Sequence, residues 1–305
     1  LKQAIVVAFP FNLIHNLTSQ SSVLAPEFTL PEDFIMLKLA IVGKGGSGKS
    51  TVSWLLLQYL ASLKQNVLGI DADYNMNLVS NLGLDYSSEL PTLHHSHRHF
   101  RDLVGLAEKE AWGNLQGRDL PQFSVNPDDE YTQALTLQVS EFIKLMVVGL
   151  GDEDVLDSPL CGHGHVAPLK WYLPNLETNG TALVIDSVAG TDMINYNLYH
   201  GCDHLVGVVE NHCNSIRVMK QIQQTAERLG TSFYVVLNQV KAGDAIGEVV
   251  ESFGDRLVGI LPEDEGIGTY DYGQVDGMTK EKVGEIWRSL LARTSTIEKS
   301  LSVSP

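Results

Sequence analysis

Apolar residues fall in short, dense runs along the chain. Leu37-Lys38-Leu39-Ala40-Ile41-Val42, residues 66–71, Thr181–Asp186, Asp203–Val209, Ser232–Leu237 and Leu257–Ile260 are each dominated by Val, Ile or Leu. Such runs predict strands buried on both faces, and Val139–Val148 reads the same way. Between them, amphipathic stretches predict helices over 49–64, 76–82, from just after His165 through Trp171, over 215–229 and over 279–292. Residues 84–130 show no sustained period apart from a helix expected over about 98–111, and read as a less regular insertion. Strands alternating with helices predict an α/β fold with a doubly wound, mostly parallel sheet. Ligands of such sheets bind at the carboxyl ends of the strands. No internal repeat is visible.

The ends read differently from the middle. Residues 1–35 match no element that follows, and Met36 stands directly before the first strand. The folded domain is therefore expected over 36–293, with 1–35 an extension and 294–305 a polar tail rich in Ser and Thr. Ala4–Phe11 is apolar but lacks a small-residue cleavage site after it, so it does not read as a signal peptide.

Charge narrows the function classes. The chain has 305 residues with 21 Lys and Arg against 37 Asp and Glu, a net −16. That balance repels phosphate backbones, so nucleic acid is not an expected partner. No apolar run reaches the roughly 18 residues needed to span a bilayer, so stable membrane insertion is not expected either. The 3 cysteines are too few for a disulfide framework, which favours a reduced, cytoplasmic setting.

The strongest chemical signal is Gly43-Lys44-Gly45-Gly46-Ser47-Gly48-Lys49-Ser50-Thr51. It follows the first strand, opens the first helix and satisfies G-x-x-x-x-G-K-[ST]. Glycines let the backbone wrap phosphate with N–H groups pointing inward, and the helix N-terminus adds partial positive charge. In this reading Lys49 reaches the β- and γ-phosphates and Ser50 ligates Mg²⁺. Two aspartate-bearing strand ends follow: Ile70-Asp71-Ala72-Asp73-Tyr74-Asn75-Met76-Asn77, and Leu183–Asp186 running into Ser187-Val188-Ala189-Gly190. From the residues alone, Asp71 could cap a strand end and Asp73 the next helix.

The second lysine of the loop, Lys44, makes the motif similar to that of the deviant Walker A ATPases, which include MinD/ParA proteins, the nitrogenase iron protein and metal-insertion ATPases. The resemblance implies a P-loop ATPase that works as a homodimer with ATP and Mg²⁺, Lys44 crossing to the partner's phosphates. It implies that Asp73 orients or deprotonates the attacking water, with Asp71 and Asn77 supporting that switch. It implies that Asp186 holds Mg²⁺ through water, with Asp71 and Ser50 also at the Mg²⁺ site, and that Gly190 allows close backbone approach to the γ-phosphate. Tyr74 stands where the family usually has proline. Asn238, at the end of Val235-Val236-Leu237-Asn238, resembles the family's base-reading asparagine. Pro262, in Gly259-Ile260-Leu261-Pro262-Glu263-Asp264, lies in a turn like the one whose backbone touches adenine. Gln239 and Lys241 follow Asn238 in place of an N-K-x-D motif, which favours ATP over GTP.

Cys161-Gly162-His163-Gly164-His165 supplies a thiol and two imidazoles with flexible glycines between them. Those donors suit Zn²⁺ or Ni²⁺, and two copies of the loop on a two-fold axis would complete a site. A turn built of Gly and His is the plainer alternative. The position resembles that of the Cys-x-Cys of CooC-type ATPases, which insert nickel for carbon monoxide dehydrogenase, with His163 replacing the second cysteine. That resemblance implies a client metalloenzyme. The His94–His99 run reads as a metal store or entry patch or, more plainly, as a solvated loop, and Cys202 and Cys213 read as small core thiols. The competing readings are a MinD/ParA-like positioning or partition ATPase and an iron–sulfur electron donor. The polar C-terminus disfavours membrane targeting, and the single Cys161 does not supply the two cysteines per subunit that a cluster needs.

Overall fold

The computed structural model describes residues 36–85, 90–149, 166–190, 194 and 198–302, with side chains described as far as Thr294. The extension 1–35 and the Cys161, His163 and His165 stretch lie outside the described residues.

Ten strands alternate with helices among the described residues. Eight of the strands form one sheet in the order β10-β9-β8-β1-β7-β2-β5-β4. They are β1 (Lys38–Gly43), β2 (Val67–Asp71), β4 (Thr136–Gln138), β5 (Ile143–Val147), β7 (Ala182–Asp186), β8 (His204–Glu210), β9 (Phe233–Val240) and β10 (Leu257–Pro262). Every pairing is parallel except β4 with β5, an antiparallel edge. β3 (Phe123–Ser124) and β6 (Leu176–Glu177) pair apart from it.

The two faces are filled separately because strand side chains alternate. Leu39 and Ile41 of β1 join one core with α1 (Lys49–Ser62), whose Val52, Trp54, Leu55, Leu56, Leu57 and Leu60 are all buried. A helix apolar nearly all round is what a position under the sheet requires. Val283, Ile286, Trp287 and Leu290 of the C-terminal helix complete that layer. Ala40 and Val42 face the other core, with Ile216, Met219 and Ile222 of the helix Cys213–Arg228 and an aromatic cluster of Phe100, Phe123, Tyr131 and Tyr172.

Several elements differ from the sequence expectation. The single strand expected over Val139–Val148 is a hairpin, because Val139 N–H and Ser140 N–H both turn back to the Ile143 carbonyl at 2.9 and 3.2 Å. The helix expected over 98–111 is α3 (His97–Leu103), stopped by Gly105 in the left-handed region at φ 65°. Gly105 N–H bonds the Asp102 carbonyl at 3.2 Å and Leu106 N–H the Arg101 carbonyl at 2.8 Å, a Schellman stop. With α2 (Asn77–Asn81) before it, the chain also forms α4 (Glu130–Leu135) and, after α5 (Ala167–Tyr172) and α6 (Cys213–Arg228), α7 (Gly247–Phe253). Neither α4 nor α7 was expected. The last helix, α8 (Gly277–Ser302), continues through residues expected as tail. Cys213 is exposed at the first position of α6 rather than a core thiol, and burial raises the Cys202 thiol to about 12.

Candidate functional site

β1, β2 and β7 end side by side. In the sheet register Ile41 lies opposite Asp186, and Asp186 lies opposite Asp71. The two strand-end carboxylates are therefore neighbours, and both are fully buried. The phosphate loop springs from Gly43 above them.

Tight packing fixes the loop. A Cβ on Gly43 would meet the Val208 carbonyl at 2.6 Å and the Ser47 hydroxyl at 2.8 Å. Gly48 adopts φ 91° at the N-cap of α1, and a Cβ there would run into the Asn238 amide. Ser47 N–H bonds the Lys44 carbonyl at 3.2 Å, and Val52 N–H bonds the Gly48 carbonyl at 2.9 Å. Gly190 N–H ties to the Gly43 carbonyl at 2.8 Å, joining the loop after β7 to the phosphate loop. Ser187 Oγ donates to the Ile41 carbonyl at 2.6 Å.

The acids divide by partner. Asp71 accepts from Asp73 N–H at 3.2 Å and Val79 N–H at 3.1 Å, so it ties the switch turn to α2. Burial, then the neighbouring Asp186 charge, hold its carboxyl well above the ordinary range. Asp73 lines the site, and its Oδ1 accepts from Asn75 N–H and Asn75 Nδ2 at 3.1 and 3.0 Å. Asp186 accepts from Ser53 Oγ at a long 3.4 Å and from the Ser50 hydroxyl. Its Oδ2 is buried with no protein partner. Burial pushes the Asp186 carboxyl up to about 6, against the lowering influence of Ser50 and the Lys49 charge. Lys49 is itself 6% exposed.

A cavity of about 310 Å³ opens over the loop. Of the expected residues, Gly45, Gly46, Gly48, Lys49, Ser50, Thr51, Asp73 and Asn77 line it. Asn75, Asn81, Ala189, Gln239 and Tyr270 line it too and were not anticipated as such. Gln239 follows a motif residue, so adjacency alone could have flagged it. Tyr270 lies in a turn (Glu265–Thr269 and the residue after it) with no sequence signature. Gly43, Ser47, Asp71 and Asp186 are buried and are not among the lining residues. Lys44 is half-buried at the loop, its Nζ donating to the Gly45 carbonyl at 3.1 Å. Asn238 is buried, and its Nδ2 donates to the Ser47 carbonyl at 3.0 Å. Pro262 ends β10, where Glu263 N–H bonds the Val240 carbonyl at 2.9 Å.

The residues fit a hydrated divalent cation beside phosphate: a carboxylate oxygen without a protein partner, a serine hydroxyl next to it, and oxygen-only donors of the kind Mg²⁺ prefers. Among the described residues no group of three His, Cys, Asp or Glu side chains is placed to hold a metal ion. His94 and His97 stack at 6.3 Å between centroids, His95 Nδ1 lies 3.0 Å from Thr92 Oγ1, and His99 packs edge-on to Tyr131. No helix among the described residues is long and apolar enough to cross a membrane.

Known proteins are similar to this chain. A family model for the CobQ/CobB/MinD/ParA nucleotide binding domain matches residues 39–273. An uncharacterized ATP-binding protein of Methanocaldococcus jannaschii is 28% identical over 235 residues, 76% of this chain and 90% of the relative. The carbon monoxide dehydrogenase accessory protein CooC of Rhodospirillum rubrum is 26% identical over 242 residues, 77% of this chain and 87% of CooC. Among solved structures, a Cyanothece McdA variant in complex with ATP superposes with a TM-score of 0.59 at 21% identity, covering 84% of this chain and 96% of that one. MinD of Pyrococcus horikoshii with Mg-ADP does so at 0.54 and 16% identity, covering 88% and 98%. With the family model spanning most of the sheet and the whole phosphate loop, the chain belongs to the CobQ/CobB/MinD/ParA nucleotide-binding family.

Proposed function

We propose that the chain binds and hydrolyses ATP as a dimeric switch that helps load a metal ion, nickel or zinc, into a client metalloenzyme. The observation that carries the ATPase part is the Asp186 carboxylate, buried beside Lys49 and Ser50 with one oxygen lacking a protein partner. Leaving such a group unmatched costs stability, and a phosphate-bound cation would match it. Mg²⁺ supplies charge neutralisation on the phosphate oxygens when bound.

The chain's own residues supply the rest. Loop N–H groups and Lys49 hold the phosphates, and Lys44 reaches toward a second copy. Asp73 orients a water whose oxygen attacks the γ-phosphorus as the bond to the ADP oxygen breaks. The Asp73 turn is coupled to the segment after β5. A Cβ on Gly149 would meet Met76 Cγ at 2.6 Å and the Asp73 carbonyl at 3.3 Å.

The metal part rests on the donor chemistry of Cys161, His163 and His165 and on the likeness to CooC. Metal analysis and light scattering on the anaerobically purified protein test it. We expect about one metal per dimer with ATP present. Cys161→Ser with His163→Ala should lose the metal and keep ATP turnover. Unchanged metal content in that variant contradicts the loading role. ATP-dependent sedimentation with liposomes or DNA would instead support the positioning or partition reading.

A further inference from the structure

A second cavity, of about 470 Å³, shares no lining residue with the one over the phosphate loop. Its size is that of a small-molecule site. Pro174 and Asn175 line it directly before Leu176, whose carbonyl accepts from Lys38 Nζ at 2.7 Å at the start of β1. His200 lines it shortly before β8 begins at His204. A Cβ on Gly201 would meet the Leu173 carbonyl at 2.7 Å, so the His200 turn closes directly on the Pro174 turn. The cavity therefore lies by the amino ends of β1 and β8, whereas the phosphate loop leaves the carboxyl end of β1.

Leu115, Gln116 and Arg118, in the less regular insertion, supply another part of the wall. That part is tied down. Leu115 is fully buried, and Arg118 N–H bonds its carbonyl at 3.0 Å. The Arg118 guanidinium donates to the Gly105 carbonyl at 3.1 Å and to the Glu110 carboxylate. Buried Arg101 stacks on Trp112 at 4.7 Å and donates to the Ala107 and Glu110 carbonyls. A wall fixed before binding lowers the cost of ordering it around a ligand.

The lining has an unusual charge for this chain. The net charge is −16, yet no residue lining the cavity is acidic, and Arg118, Lys170 and His200 are basic types. Glu110 pairs with Arg118. Among the described residues Lys170 has no carboxylate partner, and its Nζ stands 5.0 Å from the centroid of the Trp171 ring. Trp171 is 9% exposed, and its Nε1 is buried with no hydrogen-bond partner. An indole N–H can only donate, and leaving it buried and unmatched is costly. One uncompensated ammonium and one unmatched donor, on neighbouring residues of α5, suit a singly charged acceptor. Leu115, Leu120, Pro174 and the indole face make the rest of the lining apolar.

We propose that this cavity is a binding site for a small organic anion, a carboxylate on a flat apolar body, with Lys170 and the Trp171 N–H taking the carboxylate. The site does not depend on the ATP-binding reading.

Calorimetric titration of the full chain with naphthoate and with its neutral amide, each with and without Mg-ATP, tests the assignment. Naphthoate should bind saturably, about tenfold or more tighter than the amide, and equally well with Mg-ATP present. Lys170→Met should abolish the preference for the acid over the amide. Trp171→Phe keeps an aromatic ring and loses the N–H, and it should weaken naphthoate about fivefold. Neither variant should alter ATP binding, and thermal melting confirms that each is folded. The proposal is overturned if naphthoate does not bind saturably, if the amide binds as well, or if Lys170→Met retains the preference. Displacement of naphthoate by Mg-ATP would also overturn it, by placing the anion at the phosphate loop.

Discussion

Two aspartates, Asp129 half-buried and Asp186 fully buried, show how differently one side chain can be used in this molecule. Asp129, at the N-cap of α4, has both oxygens satisfied. Oδ1 accepts from Tyr131 N–H at 2.9 Å and Thr132 N–H at 3.0 Å, and Oδ2 from Ser124 N–H at 2.7 Å and from the Thr132 hydroxyl. Thr132 passes the network on to Tyr172 at 2.8 Å. Asp186, at the end of β7, has one long bond to Ser53, the Ser50 hydroxyl and an Oδ2 with no partner. The first carboxylate is complete within the fold and organises it. The second is left incomplete where a phosphate loop, a lysine and two more acids converge. The Asp186 oxygen is buried at a strand end beside the phosphate loop, where a ligand can complete it, and a buried unpaired group is costly otherwise.

Substitutions that act on one region and spare the other sharpen the contrast. The largest effect is expected at Lys49. Lys49→Ala should lower phosphate release from Mg-ATP by about 10²–10³-fold, the size seen when a charge-stabilising donor is removed from a reacting centre. Turnover close to that of the unaltered chain would place the chemistry elsewhere.

Asp186→Asn should split stability from activity. Its carboxyl is raised to about 6, so the folded chain binds more protons than the unfolded chain between about pH 4 and pH 6. Stability of the protein without nucleotide should therefore fall as pH rises through that window, and stay reduced above it. The asparagine variant should lose most of that fall, gaining on the order of 1–3 kcal/mol at pH 7, and should also lose Mg-dependent turnover. A thermal melting series across pH reads the first, and a phosphate assay the second. A variant that melts lower than the parent at pH 7 would show that Asp186 is structural.

Asp129→Ala should do the reverse. Losing an N-cap and its bonds to Ser124 and Thr132 should cost about 2 kcal/mol of stability, with ATP affinity of the folded protein unchanged. The smallest effect is expected at the rim. Lys241 and Glu263 lie 3.4 Å apart with both side chains more than half exposed, and Lys241→Ala should change denaturant stability by less than about 0.5 kcal/mol.

The two regions also differed in how far the amino-acid order revealed them. β1, β2, β7, β8 and β9 announce themselves because buried parallel strands are continuous apolar runs, and the phosphate loop is contiguous in sequence. The Asp71 and Asp186 pairing follows once those strands are placed, since both close apolar runs. α4 was hidden in a polar stretch whose helix is set by the Asp129 cap rather than by periodicity. The hairpin at Ser140 was masked by apolar residues on both sides of the turn. The stop of α3 at Gly105 is legible as a glycine in the C′ position of a helix. Tyr270 was out of reach for a different reason. Its ring is set against Trp54, which is far away in sequence.

The most direct test of the account is the Mg²⁺ dependence of ATP binding, measured by calorimetry on the unaltered chain and on Asp186→Asn. The account predicts that Mg²⁺ tightens ATP binding to the unaltered chain and that this gain disappears in the variant, while binding of metal-free ATP stays the same or improves. An equal Mg²⁺ gain in both proteins would contradict it, because the unpartnered Asp186 oxygen would then have no part in completing the site.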